Sequence, residues 1–213
     1  MNIEVREKLS RDKWLAALGF KGKADKDLEE RLSRCEADLL AAARPKGIYR
    51  IMKRDDVRTE GLSVKRHLEG CDQVAVMAVT LGIGVDNLIR KAQVTDMLTA
   101  VILDTGASVM IEQACDAFED EIKKNTEKFT TSRFSPGYGD FPIEVQADMV
   151  RYVDGQRKIG LNVTGSSLMI PRKSVTAVIG LSEHPVKGRL ASCNECVLRD
   201  KCILRKEGRF CGD

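Results

Sequence analysis

The segment Val74-Ala75-Val76-Met77-Ala78-Val79 constrains this chain more than any other stretch. It is an unbroken apolar run of strand length with no polar alternation, so it reads as a strand buried on both faces. It leads through Leu81-Gly82-Ile83-Gly84 into a helix carrying Val85, Leu88 and Ile89. Upstream, residues 4–19 suit a short helix around Trp14, Leu15 and Leu18. Residues 25–43 suit a longer one, with Leu28, Leu32, Cys35, Leu39 and Ala42 at helical spacing and Pro45 beyond its end. Gly47 to Met52 reads as a strand and residues 63–70 as a helical turn. Residues 95–124 are the strongest helix, with Leu98, Ile102, Met110, Ala114, Ala117, Phe118 and Ile122 on one face. A helix near 143–153 and strands near 159–163, 166–170 and 174–181 complete the order. Helices and strands alternate without a regular βα rhythm, which predicts an α+β fold: a mixed or antiparallel sheet with packed helices.

Composition narrows the class. The 213 residues suit one compact domain with a small appendage. Lysine and arginine total 35 against 32 aspartate and glutamate, a balance too close to neutral to suggest a nucleic-acid binder. The longest uncharged apolar stretch, Val74 to Val85, has 12 residues, against roughly 20 for a membrane span. The first residues show no apolar run after a basic start, so no signal peptide is expected, and the expected location is the cytoplasm.

Three candidate motifs compete. Gly82-x-Gly84 follows a strand and precedes a helix, with Asp104 beyond, and so imitates a dinucleotide fingerprint. The third glycine position holds Asn87 and Asp104 falls inside the long helix, so a tight turn explains the pair and no dinucleotide is expected. The second motif is Arg133-Phe134-Ser135-Pro136-Gly137-Tyr138-Gly139-Asp140-Phe141-Pro142. Its prolines fix the backbone, while Arg133 and Tyr138 offer a cation and an aromatic face. Two uses fit: a rigid loop for a small anionic or aromatic ligand, or a structural turn. The long helix adds a second face of Val101, Thr105, Ser108 and Glu112, small-residued with one carboxylate. That face suits either close helix packing or a ligand.

The third motif is Cys193-x2-Cys196-x5-Cys202-x8-Cys211, four of the seven cysteines within the last 21 residues. An odd total without a secretion signal argues against a disulfide framework. Four soft thiolates complete a metal site, with a four-iron iron–sulfur cluster favoured over zinc, and free thiols or a redox pair as the remaining reading. Arg199, Lys201, Arg205, Lys206 and Arg209 would offset the thiolate charge. The alternative use of such a basic tail is a metal-stabilised module that contacts nucleic acid. Cys35, Cys71 and Cys115 read as buried apolar residues, and His67 and His184 as ordinary ones.

Arg133-x-x-Pro136-Gly137-Tyr138-x-x-x-Pro142 resembles the signature loop of the activation domain of cobalamin-dependent methionine synthase, which binds S-adenosylmethionine. Val79-Thr80-Leu81-Gly82 with Val85-Asp86, and Pro171-x-x-Ser174-Val175, resemble the flanking segments of that family in the same order, over roughly residues 47–182. The family's small, often cysteine-containing loop insert is replaced here by Gly139-Asp140-Phe141. The resemblance implies an activation-like domain over residues 1–188, helical over 1–46, followed by the cysteine-rich segment 189–213. It implies a free-standing accessory protein that binds S-adenosylmethionine and supports reductive methylation of the cobalamin carried by a partner methionine synthase or other corrinoid protein. Glu112, Arg133, Pro136, Gly137, Tyr138 and Ser174 then become the expected ligand residues. Arg133 would take the ligand's carboxylate and Glu112 its ammonium or sulfonium, with the Pro136–Tyr138 stretch near the adenosine. No general base is expected, because the sulfonium is already activated and positioning is what the protein adds. Reactivation also needs an electron donor, and a four-iron cluster on Cys193, Cys196, Cys202 and Cys211 would relay that electron.

Overall fold

The computed structural model describes residues 3, 8–20, 22, 24–186, 188 and 200–203. The elements run α1 (Arg11–Ala17), α2 (Lys26–Ala42), β1 (Lys46–Lys53), α3 (Leu62–His67), β2 (Gln73–Thr80), α4 (Ile83–Thr95) and α5 (Met97–Lys124). They continue with β3 (Phe129–Thr130), α6 (Gln146–Tyr152), α7 (Gly155–Ile159), β4 (Asn162–Val163), β5 (Met169–Ile170) and β6 (Ser174–Ser182). Four strands form a sheet in the order β1-β2-β6-β3, and β4 pairs with β5 in a small antiparallel ribbon. The order makes the fold α+β. β2 contains the unbroken apolar run Val74–Val79, and every residue from Val74 to Thr80 is buried. β6 is nearly as enclosed, with Thr176 through Ser182 all buried.

The chain forms two compact units, each assembled from three stretches: Met1–Ile48, Ala78–Glu121 and Asp154–Val175 in the first, and Tyr49–Met77, Ile122–Val153 and Thr176–Asp213 in the second. The first unit is mostly helical. The Asp25 carboxylate caps α2 by accepting the Leu28 N–H at 2.8 Å, and Leu32, Cys35 and Leu39 bury one stripe of it. α5 buries Ile102, Met110, Ala114 and Phe118, whereas Leu98 at its start is half exposed. Trp14 is fully buried, and its Nε1–H donates to the Ile102 carbonyl at 3.1 Å and to Thr105 Oγ1 at 3.2 Å. A Cβ on Gly106 would sit 2.4 Å from the Trp14 ring, so this glycine, one turn beyond Ile102 on the apolar face of α5, is a seat for that indole. α5 is long and apolar enough to cross a bilayer, yet 56% of its most apolar window is buried within the fold, as expected of a core helix.

Gly84 explains half of the glycine pair that imitates a nucleotide motif. A Cβ there would lie 2.4 Å from the Ala42 carbonyl oxygen, so glycine permits α4 to start against the end of α2. The expected helix over 95–124 begins after a break: Asp96 ends α4 and accepts the Leu98 N–H at 3.1 Å and the Thr99 hydroxyl at 2.7 Å. The strand expected near 159–163 is replaced at its start by α7, and only Asn162–Val163 pairs as β4.

Candidate functional site

The Arg133–Pro142 loop belongs to the second unit and is held at many points. The backbone on either side of Arg133 is fixed. Phe134 and Val178 exchange N–H···O=C bonds of 2.9 Å in both directions, and Thr131 N–H donates to the Gly180 carbonyl at 3.0 Å. Further along, Gly137 N–H donates to the Phe141 carbonyl at 2.8 Å and Phe141 N–H to the Tyr138 carbonyl at 3.0 Å, which closes a tight turn. Phe134 and Phe141 are buried and Pro136 is buried with them, while Gly137 and Tyr138 are exposed and Arg133 is partly so. The loop therefore roots its apolar residues in the core and leaves the cation and the phenol ring near solvent. The Tyr138 ring stands edge-on to Phe134 at 6.4 Å, a contact that orients it.

Two groups to which the sequence assigned no role tie this loop to α3. The Asp140 carboxylate accepts the Leu62 N–H at 2.6 Å and the Ser63 N–H at 2.8 Å. Burial alone would raise the Asp140 pKa, but the hydrogen bonds from Ser63 and Leu62 outweigh it and hold the group below its ordinary 3.8. His67, read from sequence as an ordinary residue, is 1% exposed. Its Nε2 lies 2.8 Å from the Ser132 carbonyl oxygen and its ring 4.9 Å from that of Phe134. A carbonyl only accepts, so Nε2 carries the proton.

Glu112 and Ser174 belong to the first unit. Glu112 lies on the exposed side of α5. Ser174 is buried, with Oγ 2.8 Å from Thr80 Oγ1 and 2.7 Å from the Pro171 carbonyl oxygen. That carbonyl can only accept, so Ser174 donates its single proton there and Thr80 donates to Ser174; Thr80 in turn accepts the Gly82 N–H at 3.1 Å. Beside this relay, Leu81 N–H donates to the Lys173 carbonyl at 2.9 Å, and Asp86 Oδ2 accepts the Arg172 N–H at 2.8 Å. The other oxygen, Asp86 Oδ1, is buried without a hydrogen-bond partner. Lys173 Nζ reaches the α5 face itself, 3.0 Å from Asp104 Oδ1 and 2.9 Å from Ser108 Oγ, one turn from Glu112. The two sequence segments that flank the loop motif, Thr80–Asp86 and Pro171–Ser174, are thus each other's partners, and Lys173 joins them to the helix of Glu112.

The expected ligand residues therefore fall into two sets: Arg133, Pro136, Gly137 and Tyr138 on one braced loop, and Glu112 and Ser174 on the α5–β6 side of the first unit. Of the expected metal ligands, Cys193, Cys196 and Cys211 lie outside the described residues, and Cys202 is partly exposed. Among the described residues no cluster of three or more His, Cys, Asp or Glu side chains forms a metal site. Cys35, Cys71 and Cys115 are buried, as expected. Burial is the main cause that raises the pKa of Cys35 and of Cys71.

The same α+β architecture recurs in a solved structure described as the crystal structure of the MetH reactivation domain bound to AdoHcy. The two chains superpose with a TM-score of 0.56 at 17% identity, over 92% of this chain and 80% of that one. At that identity the likeness establishes a reactivation-domain fold. Residues 62–188, which include α3, the braced loop and β6, match the family described as vitamin B12 dependent methionine synthase, activation domain, and the chain belongs to that family. No curated protein matches the sequence significantly.

Proposed function

We propose that this chain binds S-adenosylmethionine and supports reductive methylation of the cobalamin held by a partner corrinoid protein. The observation that carries the reading is the Arg133–Tyr138 loop: a cation and an aromatic ring on a backbone tied to β6 on either side of Arg133, within the family match. A loop already ordered loses little entropy when a ligand binds. The Arg133 guanidinium would pair with the ligand's carboxylate through two parallel hydrogen bonds, while Pro136, Gly137 and Tyr138 would line the adenosine. Glu112 would neutralise the ammonium or sulfonium. The Ser174 hydroxyl proton is committed to Pro171, so Ser174 would act mainly by holding the start of β6 in register.

The ligand brings an activated methyl group, which the partner's reduced cobalt accepts as S-adenosylhomocysteine leaves. This chain's residues need only bind, orient and exclude water. The donor set Cys193, Cys196, Cys202 and Cys211 suits a four-iron cluster that would relay the reducing electron. Such a cluster and an odd set of thiols fit a cytoplasmic protein.

Calorimetric titration of S-adenosylmethionine into the anaerobically purified chain tests the reading. Saturable binding that Arg133→Ala weakens about a hundredfold, the scale of a lost charge-assisted pair, supports it. Normal binding by Arg133→Ala would remove the site assignment. Iron and sulfide near four each per chain would support the cluster, and stoichiometric zinc without visible absorption would sink it.

A further inference from the structure

The six residues of α3 touch both ends of the Arg133–Pro142 loop. At the start of the helix, the N-cap position is Gly61, which has no side chain to cap with, and the Leu62 and Ser63 N–H groups are met instead by the carboxylate of Asp140, 78 residues away from Leu62. Two N–H groups that would otherwise be orphaned are satisfied by an acceptor from the loop, and a carboxylate there also meets the positive end of the helix. Gly61 is required for this approach. Its φ is +105°, and a Cβ on it would lie 2.6 Å from the Asp140 carbonyl oxygen and 2.8 Å from Oδ1. At the other end, His67 is the last residue of α3, and its Nε2–H holds the Ser132 carbonyl at 2.8 Å while its ring packs on Phe134. Arg133 sits between those two contacts.

We infer that α3 is a splint for the ligand loop, with Asp140 and His67 as positioning residues that hold Arg133 and the Pro136–Tyr138 turn in the conformation that receives S-adenosylmethionine. The inference rests on the proposed ligand. Neither residue need touch it. Without the Asp140 contact, the loop keeps its β6 bonds at the Phe134 end but loses its anchor at the Asp140 end. Ligand binding then has to order that end, so affinity falls by the amount the anchor had contributed in advance.

Asp140→Ala and Asp140→Asn test this against Asp25→Ala, which deletes a comparable cap from α2 in the first unit. S-adenosylmethionine affinity, melting temperature and amide exchange of residues 133–142 are measured on each full-length variant. Asp140→Ala should raise the Kd about fivefold to tenfold, the scale of one lost cap. Asp140→Asn, which keeps an acceptor oxygen, should recover part of that loss, and Asp25→Ala should lower the melting temperature with no change in Kd. Exchange at Gly137 and Phe141 should accelerate most in Asp140→Ala, less in Asp140→Asn, and not in Asp25→Ala. If Asp140→Ala and Asp25→Ala lose stability alike and bind alike, Asp140 is merely a helix cap and the inference is overturned. If the unaltered chain binds no S-adenosylmethionine, the proposed function fails instead. The exchange rates then decide the splint: faster loop exchange in Asp140→Ala supports it, and unchanged exchange overturns it.

Discussion

Gly106→Ala sets two well-understood effects against each other. In an exposed helix interior this change stabilises by about 1 kcal/mol, because alanine loses less backbone entropy than glycine. Here the new Cβ would fall 2.4 Å from Trp14 Cζ2, 2.6 Å from Cε2 and 2.9 Å from Leu39 Cδ1. Trp14 and Leu39 are each 0% exposed, so neither has space to retreat into. Overpacking of a tight core costs about 1–3 kcal/mol. Shifting the indole would also strain its hydrogen bonds to Ile102 and Thr105, worth about 1 kcal/mol. The steric and hydrogen-bond costs exceed the helical gain, leaving a net loss of about 1–3 kcal/mol. For a chain of this size each kcal/mol moves Tm by about 2–4 °C. Trp14 is the single tryptophan, so intrinsic fluorescence follows both the melt and the local packing. The expected result is a Tm several degrees lower with a shifted emission maximum. A raised Tm with unchanged emission would refute the packing of α1 against α5.

Three further outcomes follow from the same geometry. Because the Asp140 carboxyl lies below 3.8 in the folded chain, its stabilising contribution is complete above about pH 4 and is lost as pH falls through the lowered value; acid melts should show this loss, and Asp140→Asn should lack it. Cys35 and Cys71, buried and with raised pKa values, should resist iodoacetamide at neutral pH in the native state and react after unfolding, as mass spectrometry of tryptic peptides would show; rapid native labelling would contradict their burial. Ser174→Ala removes the donor to Pro171 and the acceptor for Thr80 in one step, and should destabilise by about 1–3 kcal/mol in a denaturant titration; a neutral result would mean the relay is replaced by other contacts.

Much of the fold was legible because periodicity reports burial. The apolar run 74–79 reads as an enclosed strand, and α2 shows its buried stripe in the spacing of Leu32, Cys35 and Leu39. The 133–142 loop was legible for a different reason: proline and glycine restrict the backbone whatever surrounds them. Its supports were not legible. Asp140 and His67 act across 78 and 65 residues of sequence, and neither leaves a local pattern. Gly61 offered the one available sign, a helix start whose cap must come from elsewhere. Ser174 illustrates the converse. Its place in a motif suggested a ligand hydroxyl, whereas its buried contacts with Thr80 and Pro171 show what that motif does for the fold. Similarly, the Gly82-x-Gly84 pair has a packing cause at Gly84 that only the nearby Ala42 carbonyl reveals.

The most direct test of the central claim is a crystal structure of this chain grown with S-adenosylhomocysteine. The account predicts ligand density along the Arg133–Tyr138 loop, with its carboxylate paired to Arg133 and the α3 contacts at Asp140 and Ser132 intact. Density bound elsewhere, or an empty loop at saturating ligand, would contradict it.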